Sequence, residues 1–206
     1  MKFYNSMGPN PRVVRMFLAE KGIELPTVEV DLMGAENRGA DYLAKNPFGQ
    51  VPGLELDDGT FLTEVTAICE YLDELNPGGD LIGESAEARA ETRMWARRVD
   101  LYIVEPMFAA FRAAEGRQLF ESRMKLVSAE AAVDLKAIAH DKLDILNQQM
   151  ADKQFLCGER FSFADIFLYA MLDFAAVVGQ PLNEEFTHLA AWLQRVRARP
   201  SAAVSQ

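Results

Sequence analysis

The groups that could do chemistry in this chain are concentrated in residues 46–75, NPFGQVPGLELDDGTFLTEVTAICEYLDEL. A Pro47-Phe48-Gly49 turn leads into Gln50-Val51-Pro52. Two short apolar runs follow, 54–56 and 61–62, separated by Asp57-Asp58-Gly59-Thr60. Asp-Gly between apolar runs is a hairpin signal. One carboxylate, Glu64, then stands at the opening of a helical pattern. Such a segment can offer backbone N–H and C=O groups and one carboxylate to a small ligand. Redox and metal chemistry have less to work with. The two cysteines, Cys69 and Cys157, form no C-x-x-C pair. Cys69 lies on the apolar face of its helix and reads as a buried, inert thiol, and Cys157, at a turn, reads as structural. His140 and His188 have no partner at metal-ligand spacing, so no metal site is expected.

Stepping outward from the turn, residues 2–4 read as a strand and 5–11 (NSMGPNP) as a loop of turn formers. Pro11 suits the first turn of a helix. Val14, Phe17, Leu18 and Lys21 continue at helical spacing, and Gly22 suits the position after the last turn. Residues 27–30 read as a second strand, which makes a β-α-β unit. A short polar helix is expected over 36–45. The hairpin and the helix carrying Val65, Ile68, Cys69, Leu72 and Leu75 on one face complete a β-α-β-α-β-β-α layout.

Beyond Asn76-Pro77-Gly78-Gly79-Asp80 the strand signals largely vanish. The spacing predicts one long helix over 89–115, kinked at Pro106, and a second helical stretch over 120–150 with a break near Ser128. Ser162-Phe163-Ala164-Asp165 is a capping box, with Phe161 and Ile166 placed as a hydrophobic staple. The nearly all-apolar helix after it, 166–178, should be a buried centre. A last helix is expected over 186–199, ending before Pro200. The expected domains are 1–78 and 86–206, with 79–85 as linker.

The chain has 206 residues and a net charge of −10, from 21 basic and 31 acidic residues. Nucleic acid and anionic membrane surfaces both demand clustered Lys and Arg, so neither is an expected partner. No apolar run approaches the roughly 18 residues that cross a bilayer. A soluble cytoplasmic protein is expected.

The motifs in order carry a resemblance. Gly8-Pro9-Asn10-Pro11-Arg12-Val13-Val14-Arg15 leads to Leu18-Ala19-Glu20-Lys21-Gly22. Asn46-Pro47-Phe48-Gly49-Gln50-Val51-Pro52 precedes Leu62-Thr63-Glu64-Val65-Thr66-Ala67-Ile68. Phe161-Ser162-Phe163-Ala164-Asp165-Ile166 and Ala191-Trp192, then Ala198-Arg199-Pro200-Ser201, complete the set. Together, at this spacing, the chain resembles the soluble glutathione transferases, of bacterial type and most like the phi, theta and nu groups. The resemblance implies an α/β thioredoxin-like domain with a mixed four-stranded sheet, an all-α domain, and a homodimer. It also implies glutathione as co-substrate and a small hydrophobic electrophile as its acceptor, with no metal.

In the family, the residue before the hairpin proline pairs by its backbone with the cysteinyl unit of glutathione, and that proline is cis. Here these are Val51 and Pro52. A trans proline in an edge strand is the plainer alternative. The resemblance makes Glu64 the acceptor for the ligand's α-ammonium, with the N–H groups of the helix start holding its α-carboxylate. A simple capping role is the alternative for Glu64. Where the family usually has Ser or Thr, this chain has Val65, which keeps the N–H and lacks the hydroxyl. Gln50 matches a residue that contacts the ligand backbone, and Arg38 one near its glycine carboxylate. A solvated surface arginine is the alternative for Arg38.

The thiolate is the nucleophile, so the family places a donor near the start of its first helix. In this chain the phi-like alignment puts Gly8 there and the theta-like one Met7, and neither can donate. Asn10 matches the nu-group asparagine beside the sulfur; its alternative is a turn or cap residue. Ser6 is the second candidate. The electrophile is expected between the N-terminal loop and the long helix of the second domain. The implied activity is glutathione conjugation. A glutathione-dependent disulfide reductase, and a non-catalytic glutathione-binding or interaction protein, are the alternatives.

Overall fold

The computed structural model describes residues 1–206. The chain forms two compact units, Met1–Ile82 together with Ala198–Gln206, and Gly83–Arg197.

In the first unit, β1 (Lys2–Asn5) leads through a loop into α1 (Pro9–Lys21), which ends at Gly22 in the left-handed conformation with φ 64°. Next comes β2 (Thr27–Glu29). The helix expected over 36–45 divides into a 3-10 turn, Glu36–Arg38, and α2 (Ala40–Lys45). Gly39 separates them in an extended conformation, φ −69° and ψ 154°, which interrupts the helical ladder. Then come β3 (Gly53–Glu55), β4 (Phe61–Leu62) and α3 (Val65–Leu75). The sheet order is β2-β1-β3-β4. β1 pairs parallel with β2, Phe3 opposite Thr27, and antiparallel with β3, Phe3 opposite Leu54. This mixed sheet with its helices is the thioredoxin-like fold. Its core holds Phe3, Val13, Val14, Phe17, Leu54, Ile68 and Leu72. Phe3 and Leu54 face each other across β1 and β3, and the others lie at helical spacing on α1 and α3.

In the second unit, α4 (Ala86–Val99), a π-helical turn (Asp100–Val104) and α5 (Glu105–Ala113) follow without a break. The expected kink at Pro106 is thus met by a π turn just before it. A proline has no N–H to donate to the carbonyl four residues back, and a wider turn relieves the clash of its ring with that carbonyl. A short α6 (Arg117–Phe120) precedes α7 (Ala129–Gln149). The continuous helix expected from 120 begins only at 129. Ser128 caps it, its Oγ accepting the Ala131 N–H at 3.1 Å. α8 (Phe163–Val177) carries the unit's buried centre, including Ile166, Leu168, Tyr169 and Met171. Its capping box is formed, and both oxygens of Asp165 accept two bonds each, as described below. α9 (Thr187–Arg197) closes the unit.

The sequence reading carried the helical domain to residue 206 and ended the last helix at Pro200. Instead Pro200 is the first residue of another helix, α10 (Pro200–Val204). A preset φ suits proline to that position as well as to a stop. Residues Ala198–Gln206 cluster with the first unit because polar groups along α1 take hold of them. Arg199 grips Glu20 through Nε and Nη2, both 2.7 Å. Arg12 Nη2 donates to Ala202 O at 3.2 Å and Arg15 Nε to Ser205 O at 3.0 Å.

Candidate functional site

The turn before β3, the start of α3 and the start of α1 all belong to the first unit, and each carries groups without internal partners. The Val51–Pro52 bond is cis. Val51 lies outside every helix and strand, and no hydrogen bond within the chain uses its N–H or C=O. The Gln50 carbonyl is engaged, but its side chain is exposed and unbonded. Val51 therefore presents one donor and one acceptor, the pair that an extended peptide-like ligand needs.

Glu64 was expected to open α3; it stands one residue before it, with φ 67° and ψ 121°. Only one other non-glycine residue, Ala35, has a positive φ. A non-glycine residue held in such a conformation costs of the order of 1–3 kcal/mol and marks a position that its surroundings over-determine. The capping alternative is not realised, since the Glu64 side chain makes no cap bond to its helix. The carboxylate is exposed and free beside the first N–H groups of α3, whose positive end of the helix dipole favours an anion. A carboxylate next to free N–H groups matches a zwitterionic amino-acid end. Val65 is buried and adds only its N–H.

Arg38 follows Asn37 in the 3-10 turn. Its Nη1 donates to Phe48 O at 3.2 Å, so the guanidinium lies by the turn with its other N–H groups available. At α1, Gly8 precedes the helix without a side chain, and Met7 is exposed. Asn10 is exposed and its side chain has no partner within the chain. Ser6 is placed differently. It is buried, and its Oγ donates to Val30 O at 2.6 Å. A hydroxyl has one proton to give, so Ser6 has none left for a sulfur. Among the sequence-derived candidates the structure thus leaves Asn10, Arg38, Gln50, Val51 and Glu64 with open groups.

Both cysteines are free and buried. Burial pushes each thiol up, Cys69 well above its ordinary range, so neither is a ready nucleophile. On the long helical run of the second unit, Met107 is core, Arg97 pairs with Asp100 at 2.9 Å, and Tyr102 is exposed. Tyr102 borders a cleft of about 250 Å³ within the second unit, with Trp95, Ile103 and Ile145. Sequence reasoning missed Tyr42 and Asn46, which hold the Gln50 carbonyl, and placed Asn37 only as a weaker neighbour of Arg38, not as the group that holds the Gly49 carbonyl. Their signal, polar side chains in a short helix ahead of the turn, does not say which carbonyl each one reaches.

Two family models match, the glutathione S-transferase N-terminal domain over residues 7–75 and the C-terminal domain over residues 86–195. The chain is 34% identical over 202 residues to glutathione S-transferase GstA of Escherichia coli O157:H7, covering 97% of this chain and 94% of that one. It is 33% identical over 201 residues to glutathione S-transferase 2 of Saccharomyces cerevisiae, covering 94% of this chain and 84% of the yeast protein. The crystal structure of a glutathione S-transferase domain-containing protein from Marinobacter aquaeolei VT8 superposes with a TM-score of 0.91. That pair is 40% identical, with 98% of this chain and 99% of that one covered. Domain matches at both ends of the chain, relatives of equal extent and a shared two-unit architecture place this protein in the glutathione S-transferase family.

Proposed function

We propose that this glutathione S-transferase binds glutathione on the first unit and joins its thiolate to a small hydrophobic electrophile. The carrying observation is the run of unpartnered groups from Gln50 through Val51 to Glu64 and the start of α3. Val51 pairs with the cysteinyl unit by its N–H and C=O, beside Pro52. Glu64 accepts from the α-ammonium, and the Val65 N–H with its helical neighbours takes the α-carboxylate. Gln50 contacts the ligand backbone, and Arg38 takes the glycine carboxylate.

The reaction begins when the bound thiol loses its proton to water. Asn10 stabilises the thiolate through its side-chain amide and its own N–H at the second position of α1. The sulfur then donates an electron pair to the electrophilic carbon; an S–C bond forms, and the leaving group departs with the pair from the bond it breaks. Asn10 is the donor of choice over Ser6, whose hydroxyl is already engaged. A homodimer is the assembly proposed, to be checked by sedimentation.

Retention on immobilised glutathione and calorimetric titration with glutathione test the binding step. Turnover of a chlorinated aromatic substrate tests the transfer. The expected result is saturable binding and conjugate formation. No heat, no retention and no rise in melting temperature at millimolar glutathione would overturn the reading. Turnover of a mixed glutathione disulfide with none of the aromatic chloride would move the chemistry to disulfide reduction.

A further inference from the structure

Residues 46–52 belong to no helix or strand, so no ladder holds their peptide groups. Three consecutive carbonyls are nevertheless gripped by side chains. Arg38 Nη1 donates to Phe48 O at 3.2 Å and Asn37 Nδ2 to Gly49 O at 2.6 Å. Gln50 O accepts twice, from Tyr42 Oη at 2.7 Å and Asn46 Nδ2 at 2.8 Å. Asn46 also accepts the Phe48 N–H at its Oδ1, 3.2 Å. The donors all come from residues 37–46, and the grip stops at the next peptide, where Val51 is open.

The clamp is tight as well as complete. Gly49 has φ 62°, and a Cβ there would lie 2.9 Å from Asn37 O, so the turn is pressed against the 3-10 segment. The Tyr42 ring is buried edge-on between Tyr4 and Phe61, with centroids 6.2 and 6.1 Å away. Burial pushes the Tyr42 hydroxyl up to about 12, so it remains a donor throughout the working pH range. Asn37 is 5% exposed, and its Oδ1 is buried with no partner. An orphaned buried acceptor costs stability. An amide kept there for its one bond to Gly49 is hard to explain by folding alone.

We infer that Asn37, Tyr42 and Asn46 are positioning residues for glutathione. By holding the carbonyls of Gly49 and Gln50 they fix the plane of the next peptide, so that Val51 presents a ready-made strand edge to the cysteinyl unit. This inference rests on the glutathione reading above. A turn ordered before the ligand arrives spares the binding step the ordering entropy of a loose loop. Loss of the clamp therefore weakens binding, while the sulfur and its Asn10 donor, on a different element, are left in place.

The experiment uses the whole chain. Tyr42→Phe keeps the ring and removes one donor to Gln50; Asn46→Ala removes the other. Tyr42→Phe should raise Kd and KM for glutathione about three- to tenfold, the range of one lost hydrogen bond, and Asn46→Ala, which also loses the bond from Phe48 N–H, at least as much. The double variant should raise them further, and kcat at saturating glutathione should stay within about twofold. Combined with Glu64→Ala, at the other end of the ligand, the effects should multiply. Wild-type affinity in both single variants would sink the clamp alone, since the parent protein would still bind. A parent protein that binds no glutathione would sink the inference together with the reading beneath it. A fall in kcat in step with the folded fraction, and KM unchanged, would give these residues a purely structural role. Should the double variant fail to fold, Tyr42→Phe decides by itself, because it changes one buried oxygen.

Discussion

Asn10 combines two donors that the first turn of α1 otherwise lacks. Its neighbours Pro9 and Pro11 have no N–H, and Arg12 N already donates to Gly8 O at 3.3 Å. No acidic residue stands in that turn to offset the positive end of the helix. Asn10→Ala should therefore lower kcat by about tenfold or more, toward the loss seen when one oxyanion donor is removed. Glutathione Kd should change far less, and titration of the bound thiol by its thiolate absorbance should shift upward. Unchanged turnover would remove Asn10 from the mechanism. Glu64 makes the opposite kind of prediction. Its backbone is held at φ 67°, which glycine adopts freely. Glu64→Gly should stabilise the fold by about 1 kcal/mol. It should also weaken glutathione about tenfold or more, since a charge-assisted hydrogen bond is lost. A melting scan and a titration on the same sample check both signs; a loss of stability would mean the strain is not there.

Elements depend on buried polar anchors that their sequence only partly announces. Asp165 stands in the first turn of α8 and accepts four bonds. Leu156 N and Trp192 Nε1 reach its Oδ1, and Ser162 N and Ser162 Oγ its Oδ2, all at 2.9 Å. Burial outweighs these bonds and raises its carboxyl pKa. Asp165→Asn would turn an NH₂ toward one pair of donors, so a cost of about 3 kcal/mol or more is expected. Urea denaturation reads it, and an unmoved midpoint would contradict the account. Between β1 and β3, Glu55 accepts from Lys45 at 2.6 Å, Tyr4 at 2.7 Å and Lys2 at 3.3 Å. The bond from Lys45, then those from Tyr4 and Lys2, bring its carboxyl pKa down to about 2 from an ordinary 4.5. A depressed folded-state pKa stabilises above the unfolded value and is lost as pH falls through the folded one. The Glu55 contribution should thus be intact above pH 4.5 and decline toward pH 2. Glu55→Gln should flatten the dependence of melting temperature on pH in that window; an identical acid profile would refute it. The capping box was legible because its residues are neighbours in sequence. The partners of Glu55 are 10 to 53 residues away, and no local pattern encodes them.

At the scale of the molecule, the C-terminal segment is held by α1 rather than by the unit it follows. Arg199 and Ser201 both bond Glu20. Burial raises the Glu20 carboxyl pKa, but these bonds and the Arg199 charge outweigh it, and the net shift is downward. Arg15 ties Ser205 O to the Asn5 side chain and Ser6 O, at 3.0, 2.7 and 2.9 Å. Removing residues 200–206 would strip Arg12 and Arg15 of these carbonyl acceptors and delete the buried Ala202. The first thermal transition should drop by about 5–10 °C, taking 2–4 °C per kcal/mol for a chain of this size. Differential scanning calorimetry reads the shift, and an unchanged transition would refute the brace. By itself the sequence determined the order of elements, the α/β-then-α division, the turn at 46–52, the capping box and the family. Each is encoded by neighbouring residues, by hydrophobic period or by motif spacing. Only the tertiary structure decided that Ser6 spends its proton on Val30 and that Glu64 sits strained and uncapped. The same holds for the clamp on the 48–50 carbonyls and for the return of the tail to α1. Each of these depends on which donor meets which acceptor across space, and a one-dimensional pattern carries no distances.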